Sequence, residues 1–153
     1  MSPRRFRPPA LYMKSPFLRS VLDGMPESVK IIDDKYRLVY VNQTSEKNLK
    51  QDLNELRGRS CHQAFYGFAE KCFFCNMGKV FEKAEPSIGY FTTMVNGVNR
   101  DYEVSVFPLN SDGNKVHYAV EIVKDITPVS KGNALPQIAG KITSRDKNFT
   151  TVF

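Results

Sequence analysis

IGYFTTMVNGVNRDYEVSVFPLNSDGNKVHYAVEIV, residues 88–123, decides the fold. It is rich in β-branched and aromatic residues and carries two turn signals, Asn96-Gly97 and Asp112-Gly113. Asn-Gly accepts positive φ at both central positions, which suits a two-residue hairpin. The reading is three consecutive antiparallel strands, Ile88 to Val95, Asp101 to Leu109 and Val116 to Val123, with the second turn over Asn110 to Asn114. In the last strand Val116, Tyr118, Val120 and Ile122 share one face and suit a core. That choice sends His117, Ala119, Glu121 and Val123 to the other face and leaves His117 as an exposed sheet histidine.

N-terminal to this stretch the pattern changes from period two to helical. A helix is expected from near Cys72 to Lys83, closed by Glu85-Pro86, and a short one over Cys61 to Tyr66. Asn42 to Arg59 is polar with Leu49, Leu53 and Leu56 at helical spacing, which reads as short helices ending at Gly58. Before it, Val29, Ile31 and Ile32 form a β-like run, Asp33-Asp34-Lys35 a turn and Leu38 to Val41 a second strand, together a hairpin. Ser15 is an expected N-cap with Pro16 at the first helical position. Phe17, Leu18, Val21, Leu22 and Met25 then form one apolar stripe that ends near Gly24 and Pro26. Strands grouped on either side of a helical block indicate an α+β fold with an antiparallel sheet.

The chain has 153 residues, the size of one domain with short tails. Its 41% hydrophobic and 25% charged residues exclude a wholly disordered chain or a rod. No run approaches the roughly 18 apolar residues of a membrane span. Pro3, Pro8, Pro9 and Lys14 interrupt any secretory h-region. Three cysteines, an odd number, argue against a secreted disulfide framework and for a reduced, cytoplasmic compartment.

The net charge of +6 is unevenly distributed. Residues 17–127 hold 14 Lys and Arg against 15 Asp and Glu. The tails hold Arg4, Arg5, Arg7, Lys14, Lys131, Lys141, Arg145 and Lys147. The expected division is a flexible basic leader over 1–16, a domain over 17–127 and a linker over 128–153. Solvated termini explain the basic excess better than a phosphate-binding arm, because Phe6 and Tyr12 form no interleaved aromatic pattern.

In this order and spacing the sequence resembles a PAS sensory domain over about Phe17 to Thr127. The resemblance is carried by the stripe Phe17 to Met25, the hairpin Val29 to Val41 with Asn42 directly after it, Leu56-Arg57-Gly58-Arg59-Ser60-Cys61, and the ending Lys124-Asp125-Ile126-Thr127. It implies a five-stranded antiparallel sheet cupping a block of short helices, an N-terminal helix that serves as a homodimer contact, and a small ligand or cofactor held between sheet and helices. Phe65, Tyr66, Phe68, Phe73, Phe74 and Phe81 supply apolar area in the helical block. Tyr90, Met94, Tyr102 and Tyr118 are the expected opposite wall, with plain core packing as the alternative. Ile138 to Phe153 is similar to the entry to the AAA+ domain of NtrC-type transcription activators, although the chain carries no Walker loop.

The most chemical feature is Cys61-His62 followed by Cys72-Phe73-Phe74-Cys75. A Cys-x-x-Cys pair can converge on one metal, and a helix N-terminus stabilises thiolate. Cys61 is then a third ligand candidate and His62 a fourth by composition, though neighbours on a helix point about 100° apart. A similar Cys…Cys-x-x-Cys pattern recurs in some bacterial PAS sensors. Three readings stay open: zinc or an iron–sulfur cluster on thiolates, a reversible Cys72–Cys75 disulfide, and thiols packed inertly among aromatics.

The functional expectation is a non-enzymatic sensory domain of a bacterial signalling protein or transcription regulator, relaying a ligand, metal or redox signal to an output domain. The alternatives are a thiol–disulfide oxidoreductase using Cys72 and Cys75, and nucleic-acid contact by the basic tails. No HExxH and no nucleophile elbow occurs.

Overall fold

The structure, a computed structural model, describes residues 15–72, 75–112 and 115–128. The helix α1 spans Pro16–Asp23, with Pro16 in its first turn and the Ser15 side chain accepting from the Leu18 N–H, as expected of an N-cap. The strands β1 (Ser28–Asp33) and β2 (Leu38–Val41) form the first hairpin. In its turn, Asp33 accepts from the N–H groups of Lys35 and Arg37 and pairs with the Arg37 side chain. Tyr36 there takes the left-handed conformation.

Three short helices follow: α2 (Gln43–Leu49), α3 (Leu53–Leu56) and α4 (Cys61–Tyr66). A reciprocal capping box between Asp52 and Glu55 starts α3. The fifth helix, α5, spans Met77–Lys83, so the helix expected from Cys72 begins five residues later. The Cys75 thiol lies just before it, near the Met77 and Gly78 N–H groups, which favour its thiolate.

The strands β3 (Ser87–Val95), β4 (Val98–Asp112) and β5 (Lys115–Asp125) complete the regular structure of the described residues. Asn96 and Gly97 both adopt positive φ, 51° and 78°, as a two-residue turn requires. Because that turn is so tight, β4 begins at Val98 rather than Asp101. The five strands make one antiparallel sheet in the order β2-β1-β5-β4-β3.

The register separates two faces. Lys30, Ile32, Val104, Val106, Ala119, Glu121 and Val123 share one, and α4 and α5 lie over it. Val29, Ile31, Tyr40, Tyr118, Val120 and Ile122 share the other, where the Tyr40 hydroxyl donates to Asp23 of α1. The helical block thus covers the face that carries Glu121 and His117, contrary to the expectation from apolar alternation. Both faces are covered near the sheet centre: Ala119 is fully buried on one and Val120 nearly so on the other. His117 is half-buried rather than exposed, and its carbonyl accepts from the Asp34 N–H.

The expected leader to residue 14, most of the tail, and the stretch Ile138 to Phe153 lie outside the described residues. Among the described residues no helix is long and apolar enough to cross a membrane.

Candidate functional site

The helix-covered face of the sheet carries a buried charge pair. Lys30 of β1 and Glu121 of β5 are register partners, and the Lys30 ammonium bonds the Glu121 carboxylate. Lys30 is 1% exposed. Its ammonium lies 4.0 Å from the centroid of the Phe65 ring and 5.5 Å from that of Tyr66, both on α4. A cation on an aromatic face in a desolvated site is held by the ring quadrupole as well as by its counter-ion. The pair therefore ties two strands to the helix above them.

All three cysteines lie within electrostatic reach of Glu121. Cys61 opens α4 and Cys72 precedes α5, both buried; Cys75 is half-buried. The Cys75 N–H bonds the Cys72 carbonyl at 3.0 Å, so the Cys-x-x-Cys segment closes as a turn. Burial pushes the Cys61 thiol up to about 12, with Glu121 adding and Lys30 opposing. Burial likewise pushes Cys72 up to about 12, helped by Cys75 and Glu121. Cys75 is raised by burial too, but hydrogen bonds from the Met77 and Gly78 N–H groups work against the shift. The thiolate character expected of a helix start is thus outweighed by desolvation. Cys75 is nonetheless the most exposed of the three.

Among the described residues, no group of three or more His, Cys, Asp or Glu has the arrangement to hold a metal ion. The described residues as they stand therefore do not present a ligand set for zinc or an iron–sulfur cluster. The Nδ1 of His62 is buried with no hydrogen-bond partner among the described residues.

The residues expected to line a ligand pocket divide. Phe65 is buried and Tyr66 half-buried, both beside Lys30. Phe81 packs edge-on against Tyr36, with ring centroids 5.9 Å apart. Tyr102 lies on the helix-covered face and stacks on Phe91 at 5.3 Å. Tyr90, Met94 and Tyr118 do not join them. The register places these three on the opposite face, and Met94 is 60% exposed. One position of register decides a strand residue's face, and composition does not reveal it. Phe74 lies outside the described residues.

Sequence reasoning missed Lys30 and Glu121. Each looks like a solvent-facing charge in its own strand, and only their cross-strand pairing exposes the site. It also missed an open cleft of about 380 Å³ beside α2, lined by Glu27, Ser28, Thr44, Asn48, Tyr102 and Asp125 among others.

A family model described as the PAS fold matches residues 22–131. No curated protein matches the sequence. Among solved structures, the PAS domain of BvgS from Bordetella pertussis is 15% identical, with a TM-score of 0.53 over 74% of this chain and 85% of that one. A sensory box sensor histidine kinase from Vibrio cholerae is 16% identical, with a TM-score of 0.57 over 73% and 90%. The PAS domain of nitrogen regulation protein NR(II) from Vibrio parahaemolyticus is 18% identical, with a TM-score of 0.56 over 73% and 100%. At these identities the likeness is one of fold.

Proposed function

The chain belongs to the PAS fold family, and from that premise we propose that it is the sensory domain of a bacterial signalling protein, with its three cysteines as a redox input. The observation that carries this reading is the Cys72-to-Cys75 segment closed by the Cys75 N–H bond to the Cys72 carbonyl, directly before α5 and within electrostatic reach of Glu121. The similarity of the fold to domains of sensor kinases supports the signalling half of the proposal. The chemistry of the cluster supports the redox half. Two thiols meeting hydrogen peroxide form one Cys72–Cys75 disulfide and two water molecules, the oxidant taking two electrons and two protons. Cys75 is the first to react, because it is the more exposed and the nearby Met77 and Gly78 N–H groups favour its thiolate.

A switch must favour one conformation over another. Shortening the Cys72-to-Cys75 segment moves the start of α5, which packs on β5 and β4. From β5 the chain leaves through Asp125, Ile126 and Thr127, which are tied to the start of β4 by the Ile126 N–H to the Asp101 carbonyl and the Asp101 N–H to the Thr127 hydroxyl. An output element joined beyond residue 128 would receive the change there. The reading favours a sensor over a thiol–disulfide catalyst. Such a catalyst must regenerate thiolate at every turnover at neutral pH, and a Cys72 thiol near 12 supplies very little. A sensor, by contrast, need be oxidised only once per signal and can react slowly.

Peptide mapping after hydrogen peroxide treatment, with hydrogen exchange across β5, tests the proposal. The expected product is a Cys72–Cys75 disulfide, absent in Cys75→Ser, with altered protection over residues 115–127. Thiols that stay reduced overturn the redox input, and oxidation that leaves β5 protection unchanged overturns the relay.

A further inference from the structure

The stretches that carry the three cysteines meet at one residue, Tyr36, in the turn between β1 and β2. Its backbone is left-handed, with φ 62°. A bulky residue rarely takes that conformation, and Asn or Gly would hold the same turn with less strain. What the tyrosine adds is a ring with neighbours on several sides.

The Tyr36 carbonyl accepts from the Cys61 N–H at 2.9 Å, at the start of α4. Its ring meets Phe81 of α5 edge-on, at an interplanar angle of 67°. A Cβ at Gly78 would stand 3.4 Å from the Tyr36 hydroxyl oxygen, so the hydroxyl lies against the first turn of α5. The Lys71 ammonium stands 4.0 Å from the ring centroid. Lys71 is exposed and directly precedes the buried Cys72. Tyr36 therefore touches α4 at Cys61, the chain at the residue before Cys72, and α5 just beyond Cys75.

These contacts bear on the redox reading above, on which the present inference rests, because disulfide closure takes two steps. Hydrogen peroxide first converts the Cys75 thiol to a sulfenic acid, and one water leaves. The Cys72 sulfur then attacks the Cys75 sulfur. The Cys72 proton leaves with the sulfenic hydroxyl as a second water, and the S–S bond forms. That second step requires Cys72 to leave its buried place and ionise, since burial holds its thiol at about 12. A fastened Lys71 restrains the Cys72 beside it. We propose that Lys71 seated on the Tyr36 ring is a latch that slows the second step, so that oxidised Cys75 persists before the disulfide closes. A cation on an aromatic face at an exposed site alters such an opening equilibrium about two- to fivefold.

Hydrogen peroxide treatment of the full chain with dimedone present, read by peptide mass spectrometry, gives the ratio of Cys72–Cys75 disulfide to trapped Cys75 sulfenic acid. Tyr36→Asn removes the ring and suits the left-handed turn, and Lys71→Met removes the charge from an exposed side chain. Each should raise that ratio about two- to fivefold, and iodoacetamide labelling of Cys72 in the reduced chain by the same factor. Tyr36→Phe and Lys71→Arg keep the ring and the cation and should match the parent. Thiols inert to peroxide overturn the redox reading and the latch's part in it. Oxidation that proceeds with the ratio and the Cys72 labelling unchanged in both Tyr36→Asn and Lys71→Met overturns the latch alone, as does an equal rise in the two conservative variants.

Discussion

At the residue scale, the buried Lys30–Glu121 pair and the buried thiols carry the strongest electrostatic costs of the interior. Cys61 is driven by burial from 9.0 to about 12. Below pH 9 it is protonated in both the folded and unfolded chain, and its contribution to stability is fully present. Above pH 9 the unfolded chain ionises while the folded one does not, so stability falls as pH rises toward about 12. Each such thiol can contribute up to about 1.4 kcal/mol per pH unit in that window. Urea midpoints measured on either side of pH 9 should show this decline, and Cys61→Ala should reduce its slope. For the ion pair, Lys30→Met leaves Glu121 buried without its counter-ion and should cost about 3–5 kcal/mol in urea unfolding. The double variant with Glu121→Leu should recover much of that loss, since an apolar pair of similar size avoids the desolvation cost.

At the element scale, Asn42 joins three segments. It is fully buried, and its Oδ1 accepts from the N–H groups of Val29 and Ser45 while its Nδ2 donates to the carbonyls of Leu22 and Glu27. It therefore caps α2 and links β1 to the end of α1. Asn42→Ala removes a cap worth about 1 kcal/mol and strands buried backbone groups at about 1–3 kcal/mol each. A loss of roughly 3 kcal/mol or more in urea unfolding is expected, with weaker hydrogen-exchange protection across α1. The same scale shows why β3 carries Gly89. A Cβ there would meet the Asn76 side-chain amide just before α5, so a larger residue would force that side chain to turn aside.

At the scale of the whole molecule, α1 has no buried residue, and Phe17 is 80% exposed on it. Val21, one turn along, is 49% exposed, while Leu22 and Met25 pack against the core. An apolar strip on the outside of a helix that is anchored by its other side suits association with a second copy. Phe17→Asp should shift the protein toward monomer in light scattering, with thermal stability of the monomer little changed; unaltered mass would overturn the dimer contact. The sequence alone was enough for the α+β class, the antiparallel sheet, the N-cap at Ser15 and the Asn96-Gly97 turn. Those features follow from local periodicity and from residues with special backbone preferences. It was also enough to single out the cysteines, because their spacing is local. Only the tertiary structure decided which sheet face meets the helices, why Tyr90, Met94 and Tyr118 stand apart from Tyr102, and that Lys30 meets Glu121. Those facts depend on strand register between segments some ninety residues apart, and a charge that looks solvent-facing in its own strand becomes an interior group once its counter-charge arrives from another.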